Sequence, residues 1–166
     1  MMKKRIILFI SLIFVLVGCA ISNTPTSKVE ELFNKYQTVD DDISLGIDNV
    51  IEEQNLSDDH KTRYRKLLED QYKNLSYEIK DELIDGDNAT VLVEIEVTDY
   101  KRAIGDLTFD SSIYTKDSYD EERLNRLEKA RYKVKYTLEI KLNKDRDEWK
   151  VEALTNDQIK KIQGMF

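Results

Sequence analysis

Two stretches of the sequence alternate between apolar and polar residues, and this pattern constrains the fold more than any other feature. In residues 89–97 and again in residues 134–142, an apolar side chain occupies every second position. A period of two is typical of a β-strand with one buried face. Such a face must be covered by other elements of the chain, so these strands cannot stand alone.

Two weaker segments show the same alternation. Apolar residues recur at Tyr77, Ile79 and Leu83, and again in residues 149–153. Turn residues separate each weaker segment from a stronger one, with Gly86 in the first turn and Asp145-Arg146 in the second. The sequence therefore predicts about four antiparallel strands joined by hairpins.

The N-terminal half has helical spacing instead. Capping residues at Ser27 and Ser57 precede apolar residues at intervals of three and four, and Ser118 opens a similar pattern later in the chain. Residues 101–118 have no clear period and are expected to form a short helix and a loop. We therefore expect an α+β fold in which N-terminal helices pack on a curved antiparallel sheet of about four strands.

The two hairpins resemble those of a known fold family. The motifs are Gly86-Asp87-Asn88-Ala89-Thr90-Val91 and the terminal Trp149-Lys150-Val151. They resemble the nuclear-transport-factor-2-like (cystatin-like) cone, and the resemblance covers most of residues 28–155. It implies a cone-shaped domain that is similar to small lipoproteins of unknown function from Gram-positive bacteria. Because these motifs belong to the fold, they imply shape rather than activity.

The N-terminus has the pattern of a secretory signal peptide. Lys3, Lys4 and Arg5 precede an apolar run of twelve positions, 6–17, interrupted only by Ser11. A run of this length is shorter than the roughly 20 residues that a membrane-spanning helix needs. The following Leu16-Val17-Gly18-Cys19 resembles the bacterial lipobox, which implies lipidation of Cys19 and cleavage just before it. Two acyl chains on one residue would anchor the protein stably.

This N-terminal pattern sets the predicted organisation. Residues 1–18 form a signal peptide, residues 19–27 a lipidated Cys and tether, and residues 28–166 a single domain. The expected location is the extracytoplasmic face of the cell membrane.

Composition narrows the choice of partners. Without the three N-terminal cations the chain carries 23 basic and 33 acidic residues, a net charge of −10. Such an acidic body is a poor binder of nucleic acid. A single Cys and a single His argue against a disulfide framework and a zinc site. The acidic pairs match turns and caps better than calcium loops, and we expect neither a metal nor a cofactor.

One carboxylate falls on a predicted apolar face. Strict alternation places Asp81 between Ile79 and Leu83 and opposite Val91, provided that the hairpin has a three-residue loop. Asp99 ends the same face of the next strand. A carboxylate in such a place would have a raised pKa and could abstract a proton, as in enzymes that the cone resembles. The alternatives are a bulge that turns Asp81 outward, or a buried, hydrogen-bonded Asp81.

Aromatic residues complete the candidate pocket. Tyr77, Tyr136 and Trp149 fall on predicted inward positions beside Asp81 and Asp99, whereas His60 is expected to be exposed. The main expectation is a membrane-anchored lipoprotein whose non-enzymatic domain binds a small ligand, a peptide or an envelope protein. The alternatives are a lyase- or isomerase-like enzyme that uses Asp81, and a structural or assembly module of the cell envelope. Formation of a homodimer is compatible with all three.

Overall fold

A computed structural model describes residues 23–166, and the predicted signal peptide and Cys19 lie outside them. The chain forms α1 (Pro25–Thr38), α2 (Asp41–Glu53), α3 (Asp58–Lys73), β1 (Ser76–Asp85), β2 (Asn88–Thr98), α4 (Tyr100–Ala103), α5 (Lys116–Lys129), β3 (Lys133–Asp145), β4 (Glu148–Val151) and α6 (Asn156–Ile162). The predicted α+β class is confirmed, since helices precede a four-stranded antiparallel sheet in the order β1-β2-β3-β4. None of the helices within residues 23–166 is long and apolar enough to cross a membrane.

One face of the sheet is filled with apolar side chains, and we call it the inner face. Its central residues are fully buried, namely Val91, Val93, Ile95, Val97, Leu138, Ile140 and Leu142. Val29 and Phe33 of α1 and Ile162 of α6 are equally buried in the same core. The outer face carries the alternate polar residues and is partly or fully exposed.

Helix starts follow a capping pattern that lies upstream of the predicted one. The N-caps of α1 and α5 are Thr24 and Thr115, and in each helix the Ser three residues later accepts a bond from the N-cap backbone. The predicted starts at Ser27 and Ser118 were therefore three residues late, because serine fills the N3 position that glutamate or glutamine usually fills. The predicted cap of α3, Ser57, is confirmed.

The β1–β2 hairpin has a different register from the one predicted. Its turn has two residues, since Asp85 pairs with Asn88, and Gly86 in that turn has a φ of +59°. A β-bulge between Ile79 and Asp81 then shifts the pairing by one residue, so Ile79 lies opposite Val93 as expected. Between the bulge and the turn every side chain is on the face opposite to its predicted one. The predicted three-residue loop is wrong.

Hydrogen bonds hold the first described residues against one end of the sheet. Asn23 accepts a bond from the backbone N–H of Trp149 (3.0 Å) and donates one to the carbonyl of Asp147. The backbone N–H and the hydroxyl of Thr26 both donate to Glu82 (2.8 and 2.7 Å). Both hairpin turns lie at this end, which we call the turn end. Residues 24–27, expected in the tether, thus belong to the cap and first turn of α1.

Candidate functional site

The structure places Asp81 on the outer face, not on the apolar one. It is exposed and lies opposite Leu92. Its Oδ1 accepts a bond from the N–H of Glu82 (2.9 Å), and Glu82 itself lies opposite Val91, where Asp81 was predicted. The prediction of an inward Asp81 was therefore wrong, and the bulge is the physical reason.

The three aromatic candidates do lie on the inner face, but in separate places. Tyr77 stacks on Phe33 with ring centroids 4.8 Å apart, and Tyr136 donates to the carbonyl of Phe166 (3.2 Å). Trp149 is buried in the core and lines a cleft between α1 and β4. These aromatic residues therefore do not form a common pocket within the described chain.

Asp99, the last candidate, caps a helix. Its carboxylate accepts a bond from the N–H of Arg102 (2.9 Å) at the start of α4. It lies near enough to Tyr136 for its charge to add to the effect of burial, and both raise the pKa of the Tyr136 hydroxyl. Of the five candidates, these two are the only ones within residues 23–166 that the structure shows influencing each other.

His60 is buried, with only 5% of its surface exposed, so the expectation of an exposed side chain was wrong. Helix α5 packs over the first turn of α3 and covers it. The ring Nε2 lies 3.0 Å from a Glu121 oxygen. Nδ1 lies 3.7 Å from Asp117 and has no hydrogen-bond partner in the part of the chain that the structure describes. His60 thereby joins a polar contact between α3 and α5.

Arg63 forms the centre of that contact. It donates to both carboxylate oxygens of Glu128 (2.9 Å each), to Glu121 (2.6 Å) and to Asn125 (3.0 Å). These bonds from Arg63 lower the pKa of the Glu121 and Glu128 carboxyl groups, and His60 adds to the effect at Glu121. The network holds α3 and α5 parallel to each other, and both helices line a groove.

The groove has a volume of about 510 Å³ and lies at the end of the sheet opposite the turn end. We call it the far groove. Its floor comprises Leu67 and Gln71 of α3, Leu127 of α5, and Tyr100 of α4. Its rim carries charged residues, namely Asp70, Glu96, Glu128, Arg131 and Lys133. Sequence reasoning named none of these as a binding site.

Gln71 fixes the floor of the far groove. Strand β1 begins at Ser76, opposite Glu96, so the backbone of Thr98 lies beyond the reach of β1. The side-chain amide of Gln71, 2% exposed, replaces the missing strand by accepting from the N–H of Thr98 (3.1 Å) and donating to its carbonyl (2.9 Å). A sequence signal existed here, because Gln71 is the polar member of the apolar stripe of α3.

Tyr100 closes the floor next to Gln71. Its hydroxyl donates to the carbonyl of Leu67 (3.4 Å). Desolvation by burial, followed by the charge of Asp70, raises the pKa of this hydroxyl to about 12. The floor is therefore uncharged and fixed by hydrogen bonds to the backbone.

The rim of the far groove has two cations without an acidic partner among residues 23–166. Asp70 pairs with Lys66 (2.9 Å). Glu128 pairs with Arg63 (2.9 Å), which it shares with Glu121. Glu96, the third carboxylate of the rim, has no cation within 4 Å among residues 23–166. Arg131 donates to the carbonyls of Glu128 and Ala130, and Lys133 donates to the hydroxyl of Thr98. Within residues 23–166 neither cation lies within 4 Å of a carboxylate. The groove can therefore receive an anionic group above an apolar and amide floor.

Comparisons with known proteins do not assign the chain to a family, since no family model, curated protein or solved structure matches it. The resemblance to the nuclear-transport-factor-2-like cone therefore remains a prediction.

Proposed function

We propose that this protein is a lipid-anchored binding protein on the extracytoplasmic face of the cell membrane. Its partner is a peptide segment or an envelope protein that places an acidic group in the far groove. The proposal rests on Arg131 and Lys133, two cations of the groove with no carboxylate within 4 Å among residues 23–166. They lie at the end of the sheet opposite the one where the chain from Cys19 enters the domain.

The short connection to Cys19 and the length of β2 support a position of the far groove away from the membrane. The domain begins at the turn end, and Cys19 is only four residues before Asn23. Strand β2 runs from the turn end to the far groove over residues Asn88–Thr98, about 33 Å at 3.3 Å per residue. A partner on another envelope component can therefore reach the groove without contacting the lipid surface.

The position of Asp81 favours a binding protein over a lyase- or isomerase-like enzyme. That alternative needed Asp81 next to an open space on the inner face, but Asp81 is exposed on the outer face and the central side chains of the inner face are fully buried. The assembly-module alternative shares the anchor and differs only in the surface used. Its partner would contact the sheet face or an edge strand, and its binding would not depend on charge in the far groove.

The anchor is tested with the full chain and its Cys19→Ala variant, both expressed in a Gram-positive host. We expect the natural chain in the membrane fraction and the variant in the medium after signal cleavage. A cleaved Cys19→Ala protein that stays with the membrane would disprove lipid anchoring.

The groove is tested by photo-crosslinking in the same cells. A photoreactive residue replaces Asn74 on the groove wall, and the Arg131→Glu/Lys133→Glu variant is compared with Lys141→Glu/Lys160→Glu. The second variant makes the same charge change at exposed lysines outside the groove. Because reversing the charge replaces attraction with repulsion, we expect about a tenfold or greater loss of adduct only in the groove variant. An equal yield in both variants would refute the groove.

A further inference from the structure

The tip of the β1–β2 hairpin is apolar on both faces. Leu83 is 68% exposed and Ile84 is 51% exposed. Leu83 lies opposite Thr90 on the outer face, and Ile84 lies opposite Ala89 on the inner face. Because neighbouring residues of a strand point to opposite faces, one surface of the same protein does not readily cover both. Both side chains are covered when the environment surrounds the tip from all sides.

The chain enters the domain at this same tip. Thr26 at the start of α1 is bonded to Glu82, the residue directly before Leu83. Asn23, three residues earlier, is bonded to the β3–β4 turn, and the N–H of Lys144 donates to Asp87 (2.8 Å), which joins the two turns. From Cys19 to Asn23 the chain spans at most about 14 Å, even when it is fully extended.

We propose that Leu83 and Ile84 contact the interface of the bilayer in which Cys19 is anchored. This inference rests on the proposed lipid anchor. The short connection keeps the turn end beside the membrane, and the apolar tip is the part of that end with the most to gain from leaving water. The contact fixes the orientation of the domain, with the far groove directed away from the lipid.

The charges near the tip define the kind of contact. Glu82 and Asp85 flank the apolar pair within the strand, and Asp87 lies in the turn. Carboxylates are costly inside hydrocarbon, so the tip stays at the headgroup level. Anionic lipid repels these carboxylates, and the contact is therefore expected to be at least as strong on zwitterionic phosphatidylcholine as on anionic vesicles.

The test uses the full acylated chain in phosphatidylcholine vesicles. Leu83→Cys carries an environment-sensitive fluorophore, and the label is specific because acylation blocks the thiol of Cys19. The matched control is Leu45→Cys, which is 60% exposed on α2. Helix α2 begins after the C-terminal end of α1, about 20 Å from the turn end at 1.5 Å per residue.

Lipids that carry a quencher near the headgroup distinguish the outcomes. We expect severalfold stronger quenching at position 83 than at position 45, with a blue shift at position 83 alone. Equal quenching at both positions, or none at either while the vesicles still carry the protein on flotation, overturns the orientation but leaves the anchor intact. If the chain is not acylated and does not float with the vesicles, the anchor and the orientation fail together.

Discussion

The replacement of Gln71 by Met tests whether a side chain completes the sheet. Methionine keeps the length of glutamine but leaves the N–H and the carbonyl of Thr98 without their observed partners. Each buried unpaired group costs about 1–3 kcal/mol. Since the far groove admits water to part of this backbone, we expect the free energy of unfolding to fall by about 2–4 kcal/mol rather than by the full sum.

Chemical denaturation measures this loss, with Gln163→Met as the control. Gln163 makes one long bond, from its Nε2 to the hydroxyl of Tyr72 at 3.4 Å, so its replacement should cost about 0.5 kcal/mol or less. Equal losses for the two variants would refute the role given to Gln71.

A second variant, Gln71→Glu, gives the loss a pH dependence. At neutral pH one carboxylate oxygen still accepts a hydrogen bond from the N–H of Thr98. The other oxygen faces the Thr98 carbonyl, and because both are acceptors no hydrogen bond forms there. Burial raises the pKa of such a carboxyl in the folded state. The deficit relative to the natural chain should therefore be largest above that pKa and shrink as the pH falls, because the protonated group donates to the carbonyl. A deficit that is independent of pH contradicts the proposed geometry.

Three further predictions follow from residues described by the structure. Gly164→Ala should destabilise the protein by more than the roughly 1–2 kcal/mol expected for a positive φ, because a Cβ there would clash with the Thr98 carbonyl oxygen. A thermal melt that moves by less than about 2 °C would contradict this close approach. Arg63 lowers the pKa of Glu121 and Glu128, so stability is lost as the pH falls from the usual glutamate value of 4.5 through the lower folded values. Unfolding midpoints measured against pH should show that Arg63→Met loses less stability at low pH than the natural chain. An unchanged loss would show that other groups cause the acid sensitivity. Asp81→Asn should change the free energy of unfolding by about 0.5 kcal/mol or less, as expected for an exposed side chain, and calorimetry that finds a loss well above this would indicate an unrecognised role.

The sequence predicted what depends on local periodicity. The alternation of residues 89–97 and 134–142 predicted the buried faces of β2 and β3, and Ser57 marked the start of α3 correctly. Apolar periodicity is reliable here because each face is either fully covered or open to solvent.

The register of β1 was missed because a bulge is not visible in the alternation alone. A two-residue turn at Gly86 places Leu83 and Asp81 on the outer face, and one extra residue at Lys80 returns Ile79 to the inner face. The local signal was Asp81 itself, since a charged residue on an apolar face is costly unless the strand is interrupted.

The burial of His60 depends on distant parts of the chain. Its neighbours Asp58 and Asp59 make the first turn of α3 polar, which indicates exposure. Glu121, 61 residues later in the sequence, provides the partner. The far groove was missed for the same reason, because α3, β2 and α5 contribute to it from separate segments.

The bulge at Lys80 also affects how copies of this protein meet. Strand β1 is an edge of the sheet, so its outer N–H and carbonyl groups form a template for another strand. The bulge divides this edge into two short runs, Ser76 to Ile79 and Asp81 to Asp85, that differ in phase by one residue. An incoming regular strand can match one run but not both. The bulge thereby disfavours edge-to-edge pairing of neighbouring molecules through β1.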